Sequence, residues 1–432
     1  MSVYKLFNEV KTLFEADVVV IGSGSAGSTA AIAAARQGVN VILIERYGYL
    51  GGISTSVLDT FYGFFTPGEN PRKVVGGIPD EVIDRLHQKG VVVKRPNTYG
   101  AGLGITYDPE CLKVVWDELV VGSNVKILFH TFFLDVMQEN NRVRGVVVVN
   151  KSGIWKIPAS VVIDASGDGD VAYKAQAEFE DWRSVPVQSL TTTFRLIHVD
   201  WERASKVSKE TLWNLMREAS ESGKYYLPRK EGSLHITPYP GVIATNMVRV
   251  HVDDPTDPIE LSKAEVEGRK QATEYYRFLK DMVPGYENSI LINFSHYIGV
   301  RESRRIVGDY WLTKDDILSA HKFYDAIAMC GAPIEDHRGD RTHWEYLPEG
   351  ATYDIPYRCL LPKGIEGLLI AGRCISASHD AHASLRSMGQ CMAMGQAAGV
   401  SAGLACHSNK TPRSIDINEL REKLLNLGAI LD

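Results

Sequence analysis

Residues 17–46 read DVVVIGSGSAGSTAAIAAARQGVNVILIER. The apolar run Val18 to Ile21 breaks at Gly22. An alanine-rich segment, Ser25 to Arg36, follows, stops at Gly38, and gives way to a second apolar run that closes on Glu45. This pattern predicts strand, turn, helix and strand, with Gly22, Gly24 and Gly27 at the spacing of a dinucleotide-binding turn. Gly22 permits the tight turn, Gly24 lets backbone N–H groups approach a pyrophosphate, and Gly27 lets the helix lie close on the strand. The phosphates then meet the helix N-terminus. Glu45, 18 residues after Gly27, stands where an acceptor for both ribose hydroxyls is wanted and disfavours a 2'-phosphate. The unit is therefore expected to hold an ADP-ribosyl group.

Working outward, Gly48 to Thr66 is too rich in glycine and hydroxyls for a regular element. Asp108-Pro109-Glu110 reads as an N-cap, a proline at the first helical position and an acidic first turn. Leu112, Val115, Trp116, Leu119 and Val120 then fall on one helix face. NVKILFHT and three β-rich runs, with turns at Asn140-Asn141 and Lys151-Ser152-Gly153, predict a β-meander that returns to a parallel sheet. The returning strand VVIDAS ends in Gly167-Asp168-Gly169-Asp170, a second glycine and acid turn at the carboxyl edge where ligands bind. From about Trp182 to Tyr353 helices alternate with strands, with many tyrosines, histidines and tryptophans and no second nucleotide fingerprint. The chain is expected to rejoin the first lobe through IPYRCLLP and EGLLIAGR, which ends on Gly372-Arg373. In the last small-residue helix, Ser387 with Gln390 suggests a capping box, and Gly395, Gly399 and Gly403 allow close packing.

At 432 residues, 44% hydrophobic and 23% charged, the composition is that of a globular chain with two lobes. A net charge of −6 gives no electrostatic reason to expect nucleic acid or a membrane as partner. No apolar run is long enough to span a bilayer and the first residues lack a signal peptide's core, so a cytoplasmic protein is expected. Six scattered cysteines without a CxxC argue against a zinc ribbon or an iron–sulfur cluster.

Four segments together resemble the FAD-dependent oxidoreductases of the glutathione-reductase-like superfamily, and within it the FAD_oxidored group. They are VVVIGSGSAGSTAAIAAARQGVNVILIER, VVIDASGDGDVA, IGVRESRRIVGDYWLT and YDIPYRCLLPKGIEGLLIAGRCISASHDAHASLRSMGQCMAMGQAAG. The resemblance implies an α/β fold. A Rossmann-like FAD-binding domain with parallel sheet and β-meander would occupy residues 1–181 and 354–432, with an inserted α+β substrate domain at 182–353. It implies one FAD. Its ADP half would rest on Gly22, Gly24, Ser25, Ala26, Gly27, Glu45 and Arg46, beside Gly52, Phe133, Ala165, Gly167 and Asp168. Its flavin half would rest on Gly372, Arg373, Arg386, Ser387 and Met388. Lacking a second GxGxxG and a CxxC, the chain implies neither an NAD(P)H domain nor a redox disulfide. SGDGD replaces the Asp-Gly motif of aromatic hydroxylases.

The expected reaction is hydride exchange between flavin N5 and a small polar organic substrate, with an external electron acceptor or donor. The alternatives are an electron-transfer subunit with a partner protein and a flavin hydroxylase. His379 and His382 are the acid–base candidates, because histidine titrates near neutral pH, although either can instead be a hydrogen-bonded packing residue. They are read as lying in a loop, and no metal is assigned to them. Arg301 is the candidate clamp for an anionic or polyhydroxylated substrate, while Arg304 and Arg305 are expected in interlobe ion pairs with Glu302 or Asp309. His296 and Tyr297 are further candidates. Glu335, Asp336, His337, Asp340 and His343 read as a solvated loop. Cys374 could attach FAD covalently, but noncovalent binding is expected.

Overall fold

Strands buried on both faces need continuous apolar runs, and the runs around residues 18 and 41 are of that kind. In the computed structural model, which describes residues 10–96, 100, 102–338 and 342–432, they form adjacent parallel strands. Strand β1 (Ala16–Ile21) leads into helix α1 (Ser25–Ala35) and strand β2 (Val41–Ile44). After the predicted helix α2 (Pro109–Gly122), capped by Asp108 accepting from the Glu110 N–H at 2.8 Å, comes β3 (Lys126–Leu128). The meander follows as β4 (Phe132–Glu139), β5 (Arg142–Asn150) and β6 (Gly153–Asp164). The sheet order is β3-β2-β1-β6-β5-β4. Strand β6 is long enough to do two jobs: its first half pairs antiparallel with β5 (Val148 with Trp155) and its second half runs parallel to β1 (Val161 with Val18).

The second lobe is a four-stranded antiparallel sheet built from β7 (Phe194–Ile197), β8 (Ser233–Ile236), β9 (Ile243–Asn246) and β10 (Ile290–Phe294), in the order β8-β9-β7-β10. Helix α3 (Pro258–Met282), capped by Asp257, covers it with Ala264, Ala272, Tyr275 and Phe278. This core draws on residues from Trp182 to Val300 only. The boundary expected at 353 therefore falls too late. Ile306 already belongs to the first lobe's apolar clusters, and Leu312, Ile317 and Met329 are buried with Val18 and Ala30.

On the return, β11 (Ile334–Asp336) and β12 (His343–Glu345) form a hairpin, and β13 (Leu368–Ile370) adds to β6 in parallel. The polar stretch read as a solvated loop is thus partly strand, with Asp336 and His337 buried; Asp340 lies outside the described residues. Helix α4 (His379–Leu385) replaces the expected loop, started by Ser378 whose hydroxyl accepts from the Ala381 N–H at 3.3 Å. Helix α5 (Met388–Ser408) begins after Ser387, but that side chain makes no capping bond. Gln390 instead donates to the Gly63 carbonyl at 2.7 Å. No helix among the described residues is long and apolar enough to cross a membrane.

Helices α1 and α5 are apolar on nearly all sides because each is buried on nearly all sides. They meet at small residues: a side chain at Gly395 would collide with the Ala26 carbonyl, and one at Gly399 with the Ala30 carbonyl. Gly399→Val is therefore expected to cost about 3 kcal/mol, the upper range of core overpacking. Gly122→Ala, whose new methyl would meet nothing within 4 Å, should leave stability level or slightly raised. Urea denaturation of both variants checks the contrast.

Candidate active site and cofactor cleft

Four parallel strands end at one edge, and their ends carry the residues that the glycine pattern singled out. After β1, Gly22 turns with φ +88°, and a Cβ there would stand 2.5 Å from the Ala165 carbonyl at the end of β6. A side chain at Gly27 would collide with the Gly22 carbonyl. Gly24 differs, because an added Cβ meets nothing within 4 Å. Two glycines thus serve protein packing and the third leaves space above the start of α1. At the end of β2, Glu45 accepts from the Ser23 N–H at 2.9 Å, the Ser23 hydroxyl at 2.6 Å and the Tyr47 N–H at 2.9 Å, which ties the turn to its neighbouring strand. After β6, Asp164 accepts from the N–H groups of Val171 and Ala172, shaping the glycine and acid turn. Asp168 in that turn accepts from Ser303 at 2.7 Å and from Arg373, just beyond β13, at 2.8 Å.

A cavity of about 780 Å³ opens over these ends and continues under the second lobe. Every residue that the resemblance assigned to FAD lines it except Gly27, which lies beneath the turn as a packing glycine. The open space at Gly24, the carboxylate of Glu45 and the N-terminus of α1, which lines the cavity with Ser25 and Ala26, fit an ADP-bearing cofactor.

Residues 17–424 match the family described as FAD dependent oxidoreductase. The chain belongs to that family. Thiamine thiazole synthase of Aeropyrum pernix is 31% identical over 186 residues, which is 40% of this chain and 62% of that protein. Digeranylgeranylglycerophospholipid reductase 1 of Methanopyrus kandleri is 29% identical over 167 residues, 35% of this chain and 40% of that one. The chain thus spans less than two thirds of the length of these relatives. The solved structure of BexE, described in connection with oxidation during BE-7585A biosynthesis, superposes with a TM-score of 0.51 at 14% identity. It covers 96% of this chain and 67% of that one, a likeness of fold. This FAD-dependent oxidoreductase is an enzyme, and FAD is its cofactor.

Beyond the cofactor strands the cavity reaches a chamber with strongly charged walls. Arg301, Arg229 and Arg386 line it, with Glu335 and His337. Glu335 holds His337 at 3.0 Å. Burial works against the Glu335 carboxylate, yet His337, Arg386 and Arg301 bring it down to about 2. Burial, reinforced by Arg301, pushes His337 down to about 3, so its ring is neutral. On another wall His235 of β8 donates from Nε2 to Asp59 at 2.7 Å, and Arg195 stands 3.4 Å from the other carboxylate oxygen. Against the opposing effect of burial, His235 and Arg195 bring Asp59 down to about 2. Nδ1 of His235 is buried and has no hydrogen-bond partner among the described residues.

Arg301 and Arg386 are the site candidates from sequence that reach this chamber; Tyr297 also lines the cavity, stacked on Tyr47 at 5.0 Å. His296 packs on Tyr49 away from it. The two histidines chosen for acid–base chemistry do not line the cavity, because α4 turns them inward. His379 places Nδ1 2.9 Å from Glu302 and Nε2 3.4 Å from Asp336. Burial opposes its charge, but these two carboxylates raise it to about 9. His382 donates from Nε2 to the Arg373 carbonyl at 2.8 Å, and burial pushes it down to about 3, so it orients the Arg373 backbone as a neutral ring. Arg304 does pair with Asp170 at 3.1 Å, and Arg305 with Glu302 and Glu180, but Asp309 turns to Arg413. Cys374 is fully buried with its thiol on the Asp164 and Ala371 carbonyls and does not line the cavity, a poor position for a covalent link to FAD. Asp336, His379 and Asp380 offer ligand atoms within 4.8 Å of one another, with His379 already paired to Glu302. Asp59, Arg229 and His235 were not singled out from the sequence. The one available signal was His235 on the inward face of a short strand.

Two outcomes follow from this geometry. Gly24→Val should fold with a melting temperature near that of the FAD-free parent and yet retain little FAD, read as loss of visible flavin absorbance in purified protein. Gly27→Val should fail to fold. Because the folded value of His379 lies above the ordinary 6.5, its charged pairing stabilises the protein fully below pH 6.5 and is lost as pH rises through about 9. The parent should therefore exceed His379→Gln in stability by on the order of 3 kcal/mol at pH 6. The gap should shrink by pH 9.5, as read by denaturation at the two pH values.

Proposed function

We propose that this enzyme exchanges a hydride between its FAD and a small polar organic substrate held in the second-lobe chamber, with no nicotinamide domain of its own. The observation that carries this reading is the continuity of one cavity from the Gly24 turn to Arg301 and the Asp59–His235 pair. When bound, FAD supplies a two-electron hydride acceptor or donor. The chain's own residues supply position and proton handling. Arg301, hydrogen-bonded to the Ser189 carbonyl, presents the rest of its fork to the chamber. Asp59 keeps the Nε2 proton of His235 in place, which leaves the Nδ1 lone pair free to take a proton from a substrate hydroxyl or amine and return it in the reverse direction. The proton role assigned by sequence to His379 and His382 thus passes to His235. The N-terminus of α5, at Ser387 and Met388, together with Arg386, favours negative charge on whatever ring lies against it.

Anaerobic mixing with a metabolite panel tests the reading through bleaching of the flavin band. At least one small polar metabolite should bleach the parent, and His235→Asn should slow that step by roughly 10²- to 10⁴-fold while keeping its FAD. Reduction by NAD(P)H alone, with no metabolite effective, would overturn the proposal.

A further inference from the structure

Among the described residues, the chamber wall sets four guanidiniums, Arg95, Arg229, Arg301 and Arg386, against the carboxylates of Glu231 and Glu335. Other acids that reach this cavity have partners of their own: Arg195 stands by Asp59, Arg373 by Asp168, Arg304 by Asp170 and Arg269 by Glu265, while Glu45 is held by Ser23 and Tyr47. A surplus of positive charge removed from bulk water is costly unless an anion joins it. Two further details point to an absent acceptor. The Nε groups of Arg229 and Arg386 are buried without a hydrogen-bond partner among the described residues, and Arg229 is 6% exposed. The three guanidiniums also arrive from separate elements: Arg229 ahead of β8, Arg301 from the crossing between lobes, and Arg386 from the α4–α5 junction.

We propose that the chamber takes a small organic dicarboxylate, with its two carboxylates divided among Arg229, Arg301 and Arg386. This rests on the reading of the cavity as the active site and names the substrate class for it. Planar forks match carboxylates bidentately, and a molecule with a charge at each end meets guanidiniums from more than one wall. Burial, with Arg386, Arg229 and Arg249 nearby, holds Arg301 well below its ordinary value, and burial together with Arg249 brings Arg229 to about 10. Both directions fit guanidiniums crowded together away from water, with Glu335 shared among them. A monocarboxylate leaves part of the surplus in place, and a neutral diol or diamide leaves all of it.

The test is calorimetric titration of the FAD-loaded enzyme with malonate and glutarate, acetate as the monoanion and malonamide as the neutral counterpart. One of the two diacids should bind at least about tenfold more tightly than acetate, with malonamide undetected. Arg301→Gln and Arg229→Gln should each weaken that diacid by roughly ten- to a hundredfold with FAD content unchanged. Arg301→Lys keeps the charge without the fork, guards against a glutamine variant that fails to fold, and should fall between parent and Arg301→Gln. Diacids no tighter than acetate, or arginine variants that bind as the parent does, would overturn the proposal. Because these probes report binding without electron transfer, the dicarboxylate site can fail while the flavin still bleaches with another metabolite, and hydride exchange can fail while the diacid still binds.

Discussion

The close approach of α5 to α1 is the constraint on which the site depends. Glycine at 395 and 399 lets α5 press against the carbonyls of Ala26 and Ala30, and that contact fixes where α5 begins. Its first residues, Ser387 and Met388, then face the same cavity as the Gly24 turn at the start of α1. Two helix N-termini thereby converge on one space, each with a favourable dipole for negative charge. Bulkier residues at the crossing would part the helices and widen the cleft before any ligand contact was changed.

A second set of contacts joins the lobes. Arg305, fully buried, pairs with Glu302 and reaches Glu180, while Glu302 also accepts from the Gln188 N–H at 3.1 Å and from His379. Buried ionic networks of this kind add little net stability compared with an apolar core, but they tolerate few alternative geometries. Arg301 is next to Glu302 in the chain, so the network that anchors Glu302 also sets the backbone from which Arg301 enters the chamber. His379 and His382 act through such contacts: one supplies charge to the network and the other holds the Arg373 carbonyl.

The cleft was readable from sequence because its demands are local. Each of Gly22, Gly24 and Gly27 answers a backbone requirement within a few residues, and Glu45 lies one strand away. The meander and the α2 cap were legible for the same reason. The end of the inserted lobe was not, since Leu312 and Met329 are apolar in either lobe and only packing decides which core they join. Asp336 and His337 looked solvated because they are polar, and their burial and pairing with His379 and Glu335 are tertiary facts. His379 looked catalytic by residue type, whereas a seven-residue helix turned it away from the cavity.

The chamber was the least legible part for a deeper reason. Positions 59, 229, 235, 301, 335 and 386 share no spacing, and only 301 and 386 lie in segments that carry the family resemblance. They become a site only when the inserted sheet is set over the strand ends. Once they are together, however, their charge is more informative than their order in the chain. A guanidinium among carboxylates is a strut, as Arg305 is. Guanidiniums that crowd one end of a cavity around a shared carboxylate, and are kept from bulk water, leave the folded protein with a cost that an anion reduces. The same crowding would make a chamber that holds an anion selective. A neutral competitor would leave that cost in place, so discrimination by charge would arise from the protein's own desolvation and not from added contacts.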